Sequence, residues 1–319
     1  MAMIIKRKGI VILFILAITI LGLVGCSTAD TGTSGLDESE NETITVSHPL
    51  GEVTVKKNPE RIIVFDYATL DSLDEMGIEV LGLPKSNIPE YLNKFNDEKY
   101  EDVGTLFEPD FEKIYELNPD VIFISGRQLE LYEELNEIAP TVFLQVDGAK
   151  YMESVTNNLK ILGQLFDREE FVEEQLSGIN SSINEIKEKV TEESLNALVV
   201  MANDTSISAF GKGSRFGMVY EEFGFEPADP DLEVANHGNS ITFEYILEKN
   251  PDYIFIIDRS ATVGGNVTAK ELFDNELIKE TDAYKNGRIV YLTSQVWYVA
   301  SGGLQGTNIM IEDIQQVLD

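Results

Sequence analysis

Phe111-Glu112-Lys113-Ile114-Tyr115-Glu116-Leu117-Asn118-Pro119-Asp120-Val121-Ile122-Phe123-Ile124-Ser125-Gly126-Arg127 recurs 132 positions later as Phe243-Glu244-Tyr245-Ile246-Leu247-Glu248-Lys249-Asn250-Pro251-Asp252-Tyr253-Ile254-Phe255-Ile256-Ile257-Asp258-Arg259, with eleven of the seventeen residues identical. In each copy the first half predicts a helix with an acid near its start. Asn-Pro-Asp then breaks the chain, and an apolar run predicts a buried strand with an arginine just past its end. The period is too long for a solenoid. It describes two similar lobes, each offering one arginine from the same structural place.

Outward from the repeat, the pattern alternates between strand and helix. The first half opens with a hairpin over 44–46 and 52–55 around Pro49-Leu50-Gly51, and His48 within it reads as structural. A strand over 61–65 follows, then Asp66 as a helix cap and a helix closing at Gly77. Next come a strand over 80–83, a helix from about Pro89, the first copy of the repeat, a helix over 128–138, a strand over 141–144 and a helix over 151–166. The second half repeats this with strands over 197–201, 206–210 and 289–292, a helix after Arg215 and a final helix over 304–318. Strands separated by helices imply mainly parallel sheets, with ligands beyond the carboxyl ends of the strands. Between the halves, Leu176, Ile179, Ile183, Ile186 and Val190 form one apolar stripe within 168–190. At 1.5 Å per residue such a helix spans about 34 Å, enough to act as a strut between lobes.

The chain of 319 residues begins differently. Lys6-Arg7-Lys8 precedes an apolar run that ends in Leu23-Val24-Gly25-Cys26, the sole cysteine. The run alone is close to membrane-spanning length. Its end resembles the lipobox of bacterial lipoproteins, which implies cleavage before Cys26 and a diacylglycerol on its sulfur. Two acyl chains anchor a protein stably where one does not. Residues 27–43 hold one large apolar side chain and read as a flexible tether with a reach of about 20–25 Å. The boundaries expected are thus signal peptide 1–25, lipidated cysteine and tether 26–43, first lobe 44–166, connecting helix 167–191 and second lobe 192–319. One cysteine excludes a disulfide framework.

Without residues 1–25, which carry three bases and no acid, 21 basic residues face 56 acidic ones, a formal charge of −35. Such a body excludes nucleic acid and anionic lipid surfaces as general electrostatic partners. Six arginines remain: Arg61, Arg127, Arg168, Arg215, Arg259 and Arg288. One arginine in an acidic protein ordinarily makes a surface ion pair. The equivalent placement of Arg127 and Arg259, and the glycine-flanked loop position of Arg215, argue instead for a planar fork of donors presented to anionic oxygens.

The stretches Ser125-Gly126-Arg127-Gln128, Met201-Ala202-Asn203-Asp204, Ser208-Ala209-Phe210-Gly211, Ser214-Arg215-Phe216-Gly217, His237-Gly238-Asn239-Ser240, Ile257-Asp258-Arg259 and Trp297-Tyr298 lie in both halves. Through them the body resembles the siderophore-binding lipoproteins of bacterial ABC importers, and within these the petrobactin-binding group. The resemblance implies an α/β fold of two Rossmann-like lobes joined by a single long helix, with the ligand cleft between them. It further implies a monomer on the outer side of the cell membrane, suited to a Gram-positive surface. No intrinsic cofactor is implied, and a ferric siderophore would be the transported ligand. Arg127, Arg215 and Arg259 would hold a ferric catecholate, with Trp297 and Tyr298 in the cleft. His237 and Tyr298 would complete the iron's coordination where the siderophore leaves positions open. Glu112 and Glu244 would dock each lobe on the permease, with Glu108 and Glu221 as competitors. An acid at a helix start also stabilises that helix regardless of partner.

Alternatives within the same fold are haem, a cobalamin or a hydroxamate siderophore. A surface enzyme acting on an anionic substrate would need a base or nucleophile pair, and none is recognisable. No phosphate loop, G-x-S-x-G or H-E-x-x-H is present, and two distant histidines with one cysteine do not suggest a zinc site.

Overall fold

A computed structural model describes residues 42–318; the signal segment, Cys26 and all of the tether except its last two residues lie outside them. Strands β1 (Thr43–His48) and β2 (Gly51–Lys56) form the expected antiparallel hairpin, with Val46 opposite Val53. The Leu50 N–H donates to His48 Nδ1 at 3.3 Å across the turn, which accounts for a structural histidine there.

The first lobe contains β3 (Ile62–Val64), β4 (Gly82–Leu83), β5 (Glu101–Asp102), β6 (Val121–Ile124) and β7 (Thr141–Phe143), in the order β5-β4-β3-β6-β7 with every pairing parallel. The second contains β8 (Asn196–Asn203), β9 (Ser206–Phe210), β10 (Glu226–Pro227), β11 (Asn239–Ser240), β12 (Tyr253–Asp258) and β13 (Ile289–Tyr291), in the order β11-β9-β8-β12-β13. There β12 is parallel to β8 and β13, whereas β9 runs antiparallel to β8. The sheet is therefore mixed where the sequence suggested mainly parallel pairing. Only two residues separate β8 from β9, enough for a hairpin and too few for a crossover.

The repeat becomes one packing unit used twice. Its helices, Phe111–Leu117 and Phe243–Lys249, are capped by the side chains of Asp110 and Thr242. They end on Asn118 and Asn250, at φ 44° and 41°, the left-handed conformation that asparagine tolerates. Asp120 then accepts from the N–H of Arg61 at 2.9 Å, and Asp252 from the N–H of Asn196 at 3.0 Å, so each aspartate ties its own strand to the entry of the neighbouring one. Ile114, Ile122 and Ile124 are buried on one side of the first sheet; Ile246, Ile254 and Ile256 repeat the arrangement on the second.

The helix Glu169–Glu192 buries all five residues of the expected stripe. Each contributes about 2 kcal/mol of transfer free energy. Elsewhere local geometry departs from the sequence reading. The segment after Pro89 is a 3-10 helix, Glu90–Asn96, and the expected helix over 128–138 divides into a 3-10 turn, Gly126–Leu131, and an α-helix, Tyr132–Ile138. The strand expected over 80–83 shortens to Gly82–Leu83.

The final helix, Leu304–Leu318, follows the last strand of the second lobe yet packs on the first-lobe helix Tyr67–Glu75 and on the long helix. Asp71, fully buried, receives its first amides: Gln305 N–H donates at 2.9 Å and Gly306 N–H at 2.7 Å, with the Tyr91 hydroxyl at 3.1 Å. Gly303 has to be glycine, since a Cβ there would collide with the Asp71 carboxylate and the Ala68 carbonyl. Burial pushes the Asp71 carboxyl up to about 7 against these three donors. The folded protein then holds a proton that the unfolded chain releases near pH 4, so stability falls as pH rises between about 4 and 7, by about 1.4 kcal/mol per unit at the steepest. Asp71→Asn is expected to remove that slope. Urea unfolding of both proteins across this range checks it: the wild-type minus variant difference should decline from acid to neutral pH and flatten above 7, and a constant difference would contradict it.

Candidate functional site

A cavity of about 550 Å³ opens where the carboxyl ends of β3 and β6 meet the loops of the second lobe. Asp66, Phe107, Ser125, Arg127, Gln145 and Asn158 line it from the first lobe; Arg215, Asn236, His237, Tyr298, Ser301 and Gly302 line it from the second. The volume lies within the range of small-molecule sites.

Each arginine is placed by a local device. Arg127 stands in the turn after β6, where Gln128 closes the backbone by accepting from Ser125 N–H at 3.1 Å and donating to the Leu106 carbonyl. Arg259 begins the helix Arg259–Val263, whose cap Asp258 accepts from Ala261 N–H at 2.9 Å and Ala269 N–H at 2.7 Å. Arg215 comes directly after the buried Ser214, and its guanidinium lies over the rings of Phe216 and Tyr298 at 5.0 and 4.7 Å.

All three converge on Tyr298. Its backbone carbonyl accepts from Arg215 at 2.7 Å and from Arg127 at 3.2 Å, and its hydroxyl accepts from Arg259 Nε at 2.8 Å. Arg259 also donates to Asn203 Oδ1 at 2.9 Å. Every acceptor in this set is neutral. Burial and the neighbouring Arg127 and Arg259 hold the Arg215 guanidinium below its ordinary range, while Tyr298 opposes them. The cluster is a set of like charges awaiting a counter-charge.

The other residues singled out by sequence fall in different places. Arg259 is not among the residues that line the cavity; it donates to the Tyr298 hydroxyl, and Tyr298 does line it. Trp297 is among the residues lining the cavity, yet its ring is fully buried and its indole N–H donates to Asp313 at 2.8 Å. His237 is exposed at the rim, in a loop turned by Gly238 at φ 73°. Glu112 and Glu244 are exposed, each in the first turn of its repeat helix. The Glu244 carboxyl is held below the usual range by its own backbone N–H and by Thr242. Among the described residues no group of three or more His, Cys, Asp or Glu side chains could hold a metal ion.

Sequence reading gave no site role to Asn203, which it quoted only within a stretch of the resemblance, to Asp66, which it read as a helix cap, or to Phe107, Gln145 and Asn158. Asn203 had a usable signal, because it stands beside Asp204 at the carboxyl end of a strand. Phe107, 68% exposed at the cavity mouth, carried none.

The family profile described as Periplasmic binding protein matches residues 62–296, and the chain belongs to that family. It is 43% identical over 316 residues to the petrobactin-binding protein YclQ of Bacillus subtilis, covering 98% of this chain and 99% of that one. The crystal structure of YclQ matches with a TM-score of 0.85 at 45% identity, over 88% of this chain and 99% of the other. The periplasmic catecholate-siderophore binding protein VctP of Vibrio cholerae matches with a TM-score of 0.83 at 37% identity, over 86% and 100%. The ferric-anguibactin-binding protein FatB of Vibrio anguillarum is 32% identical over 277 residues, 85% and 86% of the two chains. These relatives are named for binding a ligand rather than for a reaction.

Removing one half-buried cation from a like-charge cluster relieves repulsion as well as losing contacts. Arg215→Met, which keeps the apolar stem against Phe216 and Tyr298, is expected to leave the unfolding free energy of the ligand-free protein within about 1 kcal/mol of wild type or above it. Denaturant unfolding measures this. A loss of more than about 3 kcal/mol, the usual result of breaking a compensated buried pair, would show that the cluster is already neutralised.

Proposed function

We propose that this chain is the extracytoplasmic substrate-binding component of an ABC importer, capturing a ferric siderophore of the catecholate class, petrobactin-like in type, for iron uptake. The observation that carries the proposal is the meeting of three guanidinium groups from both lobes on the neutral acceptors of Tyr298 and Asn203, beside a cavity, in a body of strongly negative charge. Ferric iron with three bidentate catecholates carries a charge of about −3, which three arginines match. At 0.15 M salt the Debye length is about 8 Å, so the local cluster outweighs the distant acidic surface. Kinship with binding proteins named for petrobactin and for catecholate siderophores supports the same ligand class.

The remaining roles belong to this reading. Cys26 carries the lipid that holds the protein at the membrane. Glu112 and Glu244, equivalent in the two copies of the repeat and both exposed, meet the permease. Their competitor Glu221 is half-buried beside Lys212 at 3.8 Å, a poorer candidate. His237 and Tyr298, both at the cavity, supply imidazole and phenol oxygen to iron when the siderophore leaves coordination positions open. Neutral hydroxamates fit a charged arginine cluster less well than an anionic chelate does.

Trp297 is the only tryptophan and lies among the residues lining the cavity. Titration of the mature protein with a ferric catecholate is expected to quench its emission at submicromolar concentration, with ferric hydroxamate and haem giving no such response. Absence of both quenching and calorimetric heat with every catecholate chelate tested would sink the proposal. Arg127→Ala and Arg215→Ala are each expected to weaken ferric-catecholate binding by more than about 1.5 kcal/mol, the order of a charged hydrogen bond, and Arg259→Ala to weaken it by releasing the Tyr298 hydroxyl and removing one cation from the cluster. An unchanged affinity would remove that arginine from the site.

A further inference from the structure

All three arginines bond to Tyr298, so the placement of that residue decides where the cations stand. Tyr298 lies in the last turn of the helix Ser294–Val299, where backbone carbonyls run out of partners within the helix, and its carbonyl receives Arg127 and Arg215. The start of this helix departs from the local rule. Thr293 occupies the cap position, where a threonine ordinarily turns its hydroxyl oxygen toward the first amides of its own helix. Here it makes no such bond. Its hydroxyl donates instead to Asp313 Oδ1 at 2.8 Å, and its N–H donates to Asp313 Oδ2 at 2.7 Å. One turn further on, the Trp297 indole N–H donates to the same Oδ2 at 2.8 Å.

Asp313 stands on the final helix, whose first amides are bonded to Asp71 of the first lobe. Its two points of attachment, Thr293 and Trp297, lie on one face of the short helix and about 6 Å apart along the axis. Attachment at that separation opposes rotation of the helix as well as sliding. The bond from the Asp258 N–H to Ser294 Oγ, at 2.7 Å, holds the same helix at its first turn only. The charge of Asp313 is no help to an anion site, since a carboxylate in the vicinity opposes an anionic ligand. Its use lies in geometry: two oxygens that accept three donors and offer none.

We propose that Asp313 is a positioning residue of the anion site: by holding Thr293 and Trp297 it fixes the helix Ser294–Val299, and so sets the Tyr298 carbonyl at the place where Arg127 and Arg215 meet. This inference rests on the siderophore reading and adds to it a residue outside the cavity lining. Asparagine can reproduce all three bonds without the charge, its Oδ1 accepting the two N–H groups and its Nδ2 donating to the Thr293 hydroxyl. Alanine reproduces none of them.

The test uses the full mature protein, as wild type, Asp313→Asn, Asp313→Ala and Thr293→Val, titrated by calorimetry with the ferric complex of a bis-catechol on an alkyl spacer. Calorimetry separates Kd from the fraction of chains that bind, and a variant that is merely destabilised loses binding chains without a change of Kd. Asp313→Ala is expected to raise Kd about tenfold or more and Thr293→Val about threefold, both at unchanged stoichiometry, while Asp313→Asn stays within about twofold of wild type. Should Asp313→Ala fail to fold, Thr293→Val decides, because it removes one donor to Asp313 from a side chain that caps nothing. An unchanged Kd in Thr293→Val and in any folded Asp313→Ala would overturn the role of Asp313 and leave the siderophore reading standing. The same change of Kd in Asp313→Asn as in Asp313→Ala would assign the effect to charge and overturn it equally. If wild type does not bind the chelate, the siderophore reading itself fails, and this inference with it.

Discussion

Three guanidinium groups held around one tyrosine, with only neutral oxygens as partners, form the constraint around which this molecule is organised. Hydrogen bonds to a carbonyl, a hydroxyl and an amide fix where the cations point without cancelling their charge. Unpaired buried charge is costly, and the rest of the fold has to supply that stability. An ion pair within the cluster would lower that cost and at the same time spoil the site. Neutral acceptors keep the field available to a ligand that arrives with its own negative charge.

The two lobes share this burden through the repeated unit. Each copy ends its helix on a left-handed asparagine, ties its strand to the next with an aspartate, and delivers an arginine at the carboxyl end of that strand. Beyond that arginine the copies diverge. Arg127 enters a 3-10 turn and faces the cavity, while Arg259 opens a helix capped by Asp258 and is not among the lining residues. One arginine therefore lines the cavity, and the other bonds to the hydroxyl of the tyrosine whose carbonyl receives Arg127 and Arg215.

The connection between lobes is also more than a single strut. The long helix buries its stripe as the spacing of Leu176, Ile179, Ile183, Ile186 and Val190 requires. The final helix then returns from the second lobe to the first and places its amides on Asp71. Two structural ties, together with the bond from Arg127 to the Tyr298 carbonyl, therefore connect the two lobes.

Residue type and spacing alone dictate the repeated helix-strand unit, the apolar stripe of the connecting helix, the hairpin, the alternation that makes both sheets and the arginines able to hold an anion. These are encoded at spacings of two to four residues, where periodicity and capping chemistry act directly. Packing in three dimensions settles the rest: Arg259 donates to the Tyr298 hydroxyl, Trp297 is sealed against Asp313, and the final helix closes on Asp71. Those outcomes depend on partners far apart in the chain, such as Arg127 with Tyr298 and Asp71 with Gly306. No local pattern records such pairings, because they arise from how the finished sheets and helices pack and not from the preferences of the segments themselves.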